Sequence, residues 1–175
     1  GNFELKYTID GLMVISRGES AHACEPEKGF NAITHLIKLL TATFGYAPMG
    51  KLCAFLDSMI GDELNGRSLG LKMRDKISGP LTVNVGEIYI AGNTSKVRID
   101  IRYPATMDGV KVVERLGSAA NIEGLRLKVL NHNKPLLVRE DSKIIEILKQ
   151  AYQNVTGEEA KLYSTGGGTY ARELM

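Results

Sequence analysis

The sequence predicts an α+β fold in which an antiparallel sheet carries helices packed on one face. Three observations predict this class. Asp10-Gly11 separates two short apolar runs, which is a strong signal for a β-hairpin. Two segments with apolar residues at helical spacing follow. A second pair of strand-like runs then meets at residues 93–95, and the order of strands, helices, strands and helix fits an antiparallel sheet with helices on one side.

The first half of the chain is predicted to contain the first hairpin and two helices. Residues 3–7 alternate between apolar and polar side chains, as in a half-buried strand. Residues 31–40 have the spacing of an amphipathic helix, and their apolar stripe is expected to face the core. After a loop at 45–50, a second helical pattern covers residues 52–64 and ends at Gly66.

The second half is predicted to contain three strands and two helices. The predicted strands are Leu81 to Ile90, Lys96 to Arg102 and Leu125 to Leu130. The predicted helices cover Asp108 to Asn121 and the segment from Asp141 or Ser142, either of which can cap it, to Val155. Gly157 is expected to end the last helix.

A short segment around His22 is the first candidate for a functional site. Ser20, Ala21 and Ala23 surround the histidine with small side chains, which leave an imidazole accessible to a ligand. Pro26 and the following glycine are predicted to turn the chain into a helix that starts near residue 31. A single histidine is also compatible with a polar surface group.

The second candidate is the glycine-rich segment from Ser164 to Arg172. Three consecutive glycines, Gly166, Gly167 and Gly168, let a backbone approach a ligand and present N–H groups to an anion. The segment is neither a phosphate-binding P-loop nor a dinucleotide fingerprint, because it lacks both spacings. A flexible turn is the alternative.

These two segments, together with Asp100-Ile101-Arg102-Tyr103-Pro104, carry a resemblance to a known family. Residues 18–23 and 26–32 resemble the lid-domain motif of the M20 family of zinc peptidases, and within that family the chain resembles the PepV-type dipeptidases. Residues 165–172 resemble the family's glycine loop. The motifs stand in the family's order, and the resemblance covers nearly the whole chain.

The resemblance implies a ferredoxin-like lid or dimerisation domain over residues 1–135. Residues 136–175 would be part of the catalytic domain, to which the chain returns after the lid. The implied activity is hydrolysis of dipeptides or short peptides by an enzyme that holds two zinc ions when complete. The remainder of the catalytic domain and a second copy of the chain are the implied protein partners.

The resemblance also implies roles for individual residues. His22 would polarise the scissile carbonyl and stabilise the oxyanion, acting in its own chain or across a dimer. Arg102 and the amides of Gly166, Gly167 and Gly168 would hold the substrate's terminal carboxylate. Arg172 is a helper in that role or part of a surface salt bridge.

No metal ligand is assigned in this chain. The family's first ligand motif, H-x-D, is absent, and its last histidine ligand follows the glycine loop beyond Met175. Glu158-Glu159 is interpreted as solvated charge, and His35 as structural or solvent-facing. The start at Gly1 without methionine and the end just after the glycine loop indicate a fragment, which is expected to bind no zinc and to be inactive alone.

Composition narrows the classes of function. The chain has 22 Lys and Arg against 20 Asp and Glu, so its net charge of +2 gives no reason to expect nucleic acid or a membrane surface as partner. Cys24 and Cys53 fit a reducing, cytoplasmic setting rather than a disulfide framework. No signal peptide or membrane-spanning run is recognisable.

Three alternatives remain open from the sequence. The chain could be a non-catalytic module for self-association or ligand binding, or its family activity could be that of an aminoacylase, desuccinylase or carboxypeptidase. Arg102 could pair with Asp100 or another acid across the sheet instead of binding substrate. Cys24, two residues from His22, is a conceivable nucleophile, but the two side chains are expected to point to opposite faces.

Overall fold

The computed structural model describes residues 2–168 and residue 170. Their helices and antiparallel strands confirm the predicted α+β class. The strands are β1 (Phe3–Thr8), β2 (Gly11–Ser16), β3 (Arg74–Asp75), β4 (Gly79–Pro80), β5 (Thr82–Ala91) and β6 (Thr94–Arg102). The helices are α1 (Ala32–Phe44), α2 (Tyr46–Met59), α3 (Gly109–Ile122) and α4 (Lys143–Thr156), with a 3₁₀ turn at Pro26–Lys28.

Within the described residues, the strands pair as three two-stranded antiparallel sheets: β1 with β2, β3 with β4, and β5 with β6. The first hairpin forms as the Asp-Gly signal predicts, but its two-residue turn is Ile9 and Asp10, since Gly11 already pairs with Thr8. In the long hairpin β5–β6, Thr82 lies opposite Arg102 and Ala91 opposite Thr94, with a register shift between Val85 and Glu87. This long hairpin is the scaffold on which the candidate site is built.

The core lies between β5 and the helices α1, α2 and α3. Its fully buried side chains include Leu56 of α2 and Leu81 and Val83 beside and within β5, and α3 contributes Val112 and Leu116. On β6, the side chains predicted to share the aliphatic face pack against this core, namely Val97, Ile99 and Ile101. The opposite face of β6 therefore carries Arg102, as the alternation predicts.

Two helix boundaries follow from identifiable backbone chemistry. The side chain of Asn31 accepts hydrogen bonds from the amides of Ile33 and Thr34, so it caps α1 where the sequence places the helix start. The loop predicted at 45–50 is instead the first turn of α2, broken at Gly50, whose φ of 77° only glycine adopts easily. Gly157 ends α4 in the left-handed conformation, as predicted.

The strand predicted at Leu125 to Leu130 does not form. The segment follows α3 without regular structure, and only Leu125 packs against the core. Alternating polarity produces a strand only where a sheet edge accepts its backbone hydrogen bonds, and no described strand pairs with this segment. The hairpin β3–β4, by contrast, was not predicted.

Candidate functional site

The loop that carries His22 is closed at its base by two backbone hydrogen bonds. Glu19 and Phe30 pair as in an antiparallel ladder, with N···O distances of 3.0 and 2.9 Å. Gly29 crosses the ladder so closely that a Cβ there would lie 2.6 Å from the carbonyl oxygen of Glu19. Gly18 is equally confined, since its Cβ would lie 2.4 Å from the carbonyl oxygen of Phe30. These glycines are therefore required for the loop's closure.

The tip of this loop is attached to β5. The hydroxyl of Thr82, which is only 6% exposed, donates to the carbonyl oxygen of Ala23 at 3.0 Å. Ala23 lies between His22 and Cys24 in the chain, and Thr82 lies opposite Arg102 in the hairpin. One partly buried hydrogen bond thus holds the His22 loop beside the end of β6.

His22 and Cys24 contact each other directly, so the expectation that they point apart is wrong. Cys24 Sγ lies 2.9 Å from His22 Nδ1, and the Cys24 amide donates to the same nitrogen at 3.4 Å. Residues two positions apart share a face even in a strand, and here the chain turns at residues 23–24, which brings the two side chains into contact. His22 is exposed, and Cys24 is half-buried.

Arg102 pairs with Asp100, the alternative that the sequence left open. Its Nε and Nη2 donate to the two carboxylate oxygens at 2.7 and 2.8 Å, an arrangement that fixes the guanidinium plane. The remaining nitrogen, Nη1, lies 3.5 Å from the carbonyl oxygen of Gly166. Both side chains are about two-fifths exposed, so a ligand can reach them.

The glycine loop lies against the His22 loop. A Cβ on Gly166 would lie 2.4 Å from Cys24 Cβ, so only glycine permits this approach. The amide of Gly167 donates to the hydroxyl of Thr165 at 3.2 Å, which leaves fewer free donors than three glycines suggest. Arg172, the predicted helper, lies outside the described residues.

A cluster around Asp75 holds the segment that leads into the glycine loop. Asp75 accepts hydrogen bonds from the amide and hydroxyl of both Ser78 and Thr106, and Ser164 donates to the carbonyl oxygen of Ile77 at 2.6 Å. Burial alone would raise the pKa of Asp75, but the hydrogen bonds from Ser78 and Thr106 outweigh it and hold that pKa well below its usual range. The carboxylate therefore stays charged and ties the β3–β4 hairpin to the turn after β6.

The described residues do not fit a zinc site. Residues 2–168 and 170 contain no group of three or more His, Cys, Asp and Glu side chains arranged to hold a metal ion. His35 contacts the carbonyl oxygen of Asn31 through Nδ1, and His132 contacts the hydroxyl of Tyr103. Glu158 and Glu159 are exposed beyond α4.

Sequence reasoning missed Thr82 and Asp75, which position the site without belonging to a motif. An aspartate three residues before a serine is a recognisable signal for a local turn, so Asp75 could have been linked to Ser78. The contacts from Thr82 to Ala23 and from Thr106 to Asp75 join distant segments, and no local pattern shows them.

Within the portion that the structure describes, no helix is both long and apolar enough to cross a lipid bilayer.

The other cysteine, Cys53, is buried in the core, where burial raises the pKa of its thiol. It is therefore a poor nucleophile.

Known proteins are similar in sequence to this chain over most of its length. It is 34% identical over 164 residues to a Bacillus subtilis protein named "Putative dipeptidase YtjP", a match that covers 93% of the chain and 35% of that protein. It is 29% identical over 166 residues to "Putative dipeptidase SSP1012" of Staphylococcus saprophyticus, covering 94% of the chain and 35% of the relative. A "Putative dipeptidase" of Staphylococcus epidermidis is 29% identical over 170 residues, which are 95% of the chain and 36% of that protein.

No family model matches the chain. The chain spans about a third of the length of the curated relatives it matches. The sequence is thus similar, along nearly all of its own length, to one part of larger proteins that each carry the name "Putative dipeptidase".

Proposed function

We propose that this chain is part of a zinc-dependent dipeptidase of the M20 family. It would supply lid residues that contact a dipeptide or short peptide, together with a piece of the catalytic domain. The names of the relatives support dipeptidase activity, and the motif order supports the family. The coverage of about a third of each relative supports a longer parent protein.

The observation that carries the proposal is the meeting of three separate motifs at one place. The Thr82–Ala23 hydrogen bond attaches the His22 loop to the end of the long hairpin. Arg102 lies directly opposite Thr82, and Gly166 contacts both Cys24 and the Arg102 side chain. Segments separated by up to 144 positions, from residue 22 to residue 166, therefore contribute to one surface.

His22 is suited to stabilising negative charge on a substrate oxygen. Its ring is exposed, and an imidazole N–H can donate to a carbonyl oxygen as that oxygen becomes an oxyanion. The closed base of its loop and the hydrogen bond from Thr82 limit how far the ring can move. Such a fixed donor costs little reorganisation when charge develops in the transition state.

Arg102 and the glycine loop are suited to holding the carboxylate of a dipeptide. Asp100 orients the guanidinium and leaves Nη1 directed toward Gly166. A carboxylate bound there would replace the long Nη1 contact with a charge-assisted hydrogen bond, and loop amides could donate to its second oxygen. Asp100 would lower the affinity for the anion by its charge while keeping Arg102 in place.

Two zinc ions would supply the remaining hydrolytic chemistry in this family. The described residues do not fit a zinc site, so no step through the metals is assigned to them. What these residues contribute is binding and charge stabilisation at the substrate.

Replacing His22 in the full-length protein tests the proposal. His22→Ala is expected to lower kcat for dipeptides by about 10²-fold, the scale for removing one oxyanion donor. Metal content should not change, because His22 is not a ligand. Ser20→Ala, in the same loop, is the control and should keep kcat. An unchanged kcat in His22→Ala, or loss of a metal ion, would contradict the assigned role.

A second candidate, a non-catalytic module for self-association, is favoured by apolar exposure on the first hairpin. Leu5, Tyr7 and Ile9 are all more than half exposed there. Exposed apolar surface of this kind is typical of interfaces. If that is the whole function, His22→Ala will leave every catalytic measurement unchanged and the oligomeric state alone will depend on the hairpin.

A further inference from the structure

In the contact between His22 and Cys24, the cysteine donates the hydrogen bonds and the histidine accepts them. The amide of Cys24 lies 3.4 Å from His22 Nδ1, and an amide N–H can only donate. Nδ1 is therefore the acceptor, and a neutral ring must carry its proton on Nε2. The thiol, 2.9 Å from the same nitrogen, can then donate to it as well. Among the described residues, Nε2 has no hydrogen-bond partner.

We propose that Cys24 is a positioning residue for His22. Its amide and thiol hold Nδ1 as an acceptor and so keep the ring proton on Nε2, the nitrogen that remains open to a ligand. This inference rests on the proposed function only for its catalytic consequence. The tautomer itself is a property of the chain and can be measured without any activity.

The glycine loop fixes the position of Cys24 in turn. Gly166 approaches Cys24 so closely that no side chain could be placed between them, and Thr82 holds the adjacent carbonyl of Ala23. The thiol is therefore confined between the loop and the imidazole. Cys24 therefore differs from a cysteine on a mobile surface segment, which would contact a histidine only part of the time.

A second histidine, His35, is expected to have the opposite tautomer and so provides an internal reference for the NMR signals. Nδ1 of His35 lies 2.8 Å from the carbonyl oxygen of Asn31, which can only accept a hydrogen bond. The other ring nitrogen, Nε2, lies 3.8 Å from a carboxylate oxygen of Asp62, which is beyond hydrogen-bond distance, so the proton of a neutral His35 is expected on Nδ1. The chain contains three histidines, so the signals can be assigned with one His→Gln variant for each.

The test is nitrogen NMR of the chain labelled with ¹⁵N-histidine, at a pH where the imidazoles are neutral. His22 is expected in the Nε2–H form and His35 in the Nδ1–H form. In Cys24→Ala, which loses the thiol at 2.9 Å and keeps only the amide contact at 3.4 Å, the His22 signals should move part of the way toward the tautomer mixture of the urea-unfolded chain. Cys24→Ser, which keeps a side-chain donor, should retain the wild-type values. The inference is overturned if wild-type His22 carries its proton on Nδ1, or if Cys24→Ala leaves its tautomer ratio unchanged.

Kinetics of the full-length protein give the second readout. Cys24→Ala is expected to lower kcat by about 10-fold with little change in KM, as for other residues that orient a functional histidine, and Cys24→Ser to restore most of it. Ser20→Ala is the matched control in the same loop. A tautomer change without a change in kcat would contradict the catalytic role of His22 and support the positioning role of Cys24. A full loss of kcat in both Cys24 variants, with His22 unchanged in NMR, would overturn the positioning role.

Discussion

At the scale of single residues, the site depends on close backbone approaches that side chains would prevent. Gly166 meets Cys24, and Gly29 meets Glu19, at distances where a Cβ would overlap the neighbouring atoms. Gly168 differs from both, because no atom of the described residues, apart from its chain neighbours, lies within 4 Å of the position its Cβ would take. The three consecutive glycines are therefore not equivalent.

This difference gives a matched pair of substitutions. Gly166→Ala should push the glycine loop away from Cys24 and lower kcat/KM for dipeptides by about 10²-fold, the loss that a displacement of about 1 Å can cause. Gly168→Ala should cause a clearly smaller loss, since the new methyl group has space. Steady-state kinetics of both variants, with thermal unfolding to check the fold, would decide. Equal losses would contradict the contact between Gly166 and Cys24.

At the scale of secondary-structure elements, Asp75 connects the hairpin β3–β4 to the turn that follows β6. Its carboxylate accepts hydrogen bonds from Ser78 and Thr106, and Ser164 is bonded to the same hairpin. The elements that carry Arg102 and the glycine loop are thereby held in a fixed relation. The hydrogen bonds of this cluster contribute to the free energy of unfolding, and they depend on the charged carboxylate of Asp75.

We therefore expect Asp75→Asn to lower the free energy of unfolding by about 2 kcal/mol at neutral pH, as for hydrogen bonds to a charged group. The pKa of Asp75 is lowered in the folded state, so its contribution is complete above the pKa of an unfolded aspartate, about 3.9, and is lost as pH falls below it. Urea unfolding from pH 7 down to pH 3 should show the variant losing less stability than wild type. If the free energies of unfolding of the variant and of wild type fall equally with pH, this account of Asp75 is wrong.

The sequence predicted the elements with strong local signals. Asp10-Gly11, the Asn31 cap and Gly157 each mark a boundary through backbone chemistry that neighbouring residues determine. The segment 125–130 was misread because alternation shows that a segment could be a strand, whereas pairing depends on a distant sheet edge. Ser142 is the N-cap residue of α4, yet its hydroxyl makes no capping hydrogen bond.

The candidate site was predictable as a set of motifs and not as a geometry. His22, Arg102 and the glycine loop were identified from their order in the chain. The Thr82 hydrogen bond and the Asp75 cluster that bring them together join distant segments, and so does the close approach of Gly166 to Cys24. The domain boundary near residue 135 stays a prediction.

At the scale of the whole molecule, the chain carries the residues that we propose to contact a substrate. Its described residues hold no cluster of three potential ligands. Helix α4 has no buried residue, and it exposes an apolar stripe formed by Ile144, Ile147, Leu148, Tyr152 and Val155. We expect this stripe to pack against the remainder of the catalytic domain in the longer protein.

The isolated chain is accordingly expected to fold without binding two zinc ions tightly and without cleaving dipeptides. Tight zinc sites need three or four suitably placed ligands, which the described residues do not supply. Elemental analysis after dialysis, and a dipeptide assay with added zinc, would check this expectation. Two firmly held zinc ions per chain, or specific hydrolysis, would show that the chain contains a metal centre.

The central claim is that the surface formed by His22, Arg102 and the glycine loop binds a free dipeptide through its carboxylate. The most direct measurement is kcat/KM of the full-length protein and its Arg102→Lys variant on a dipeptide and on the same dipeptide amidated at its C-terminus. Lysine keeps the charge but cannot reproduce the planar guanidinium, so we predict a far greater loss on the free dipeptide than on the amide. An equal loss on both substrates, with the fold intact, would contradict carboxylate binding by Arg102.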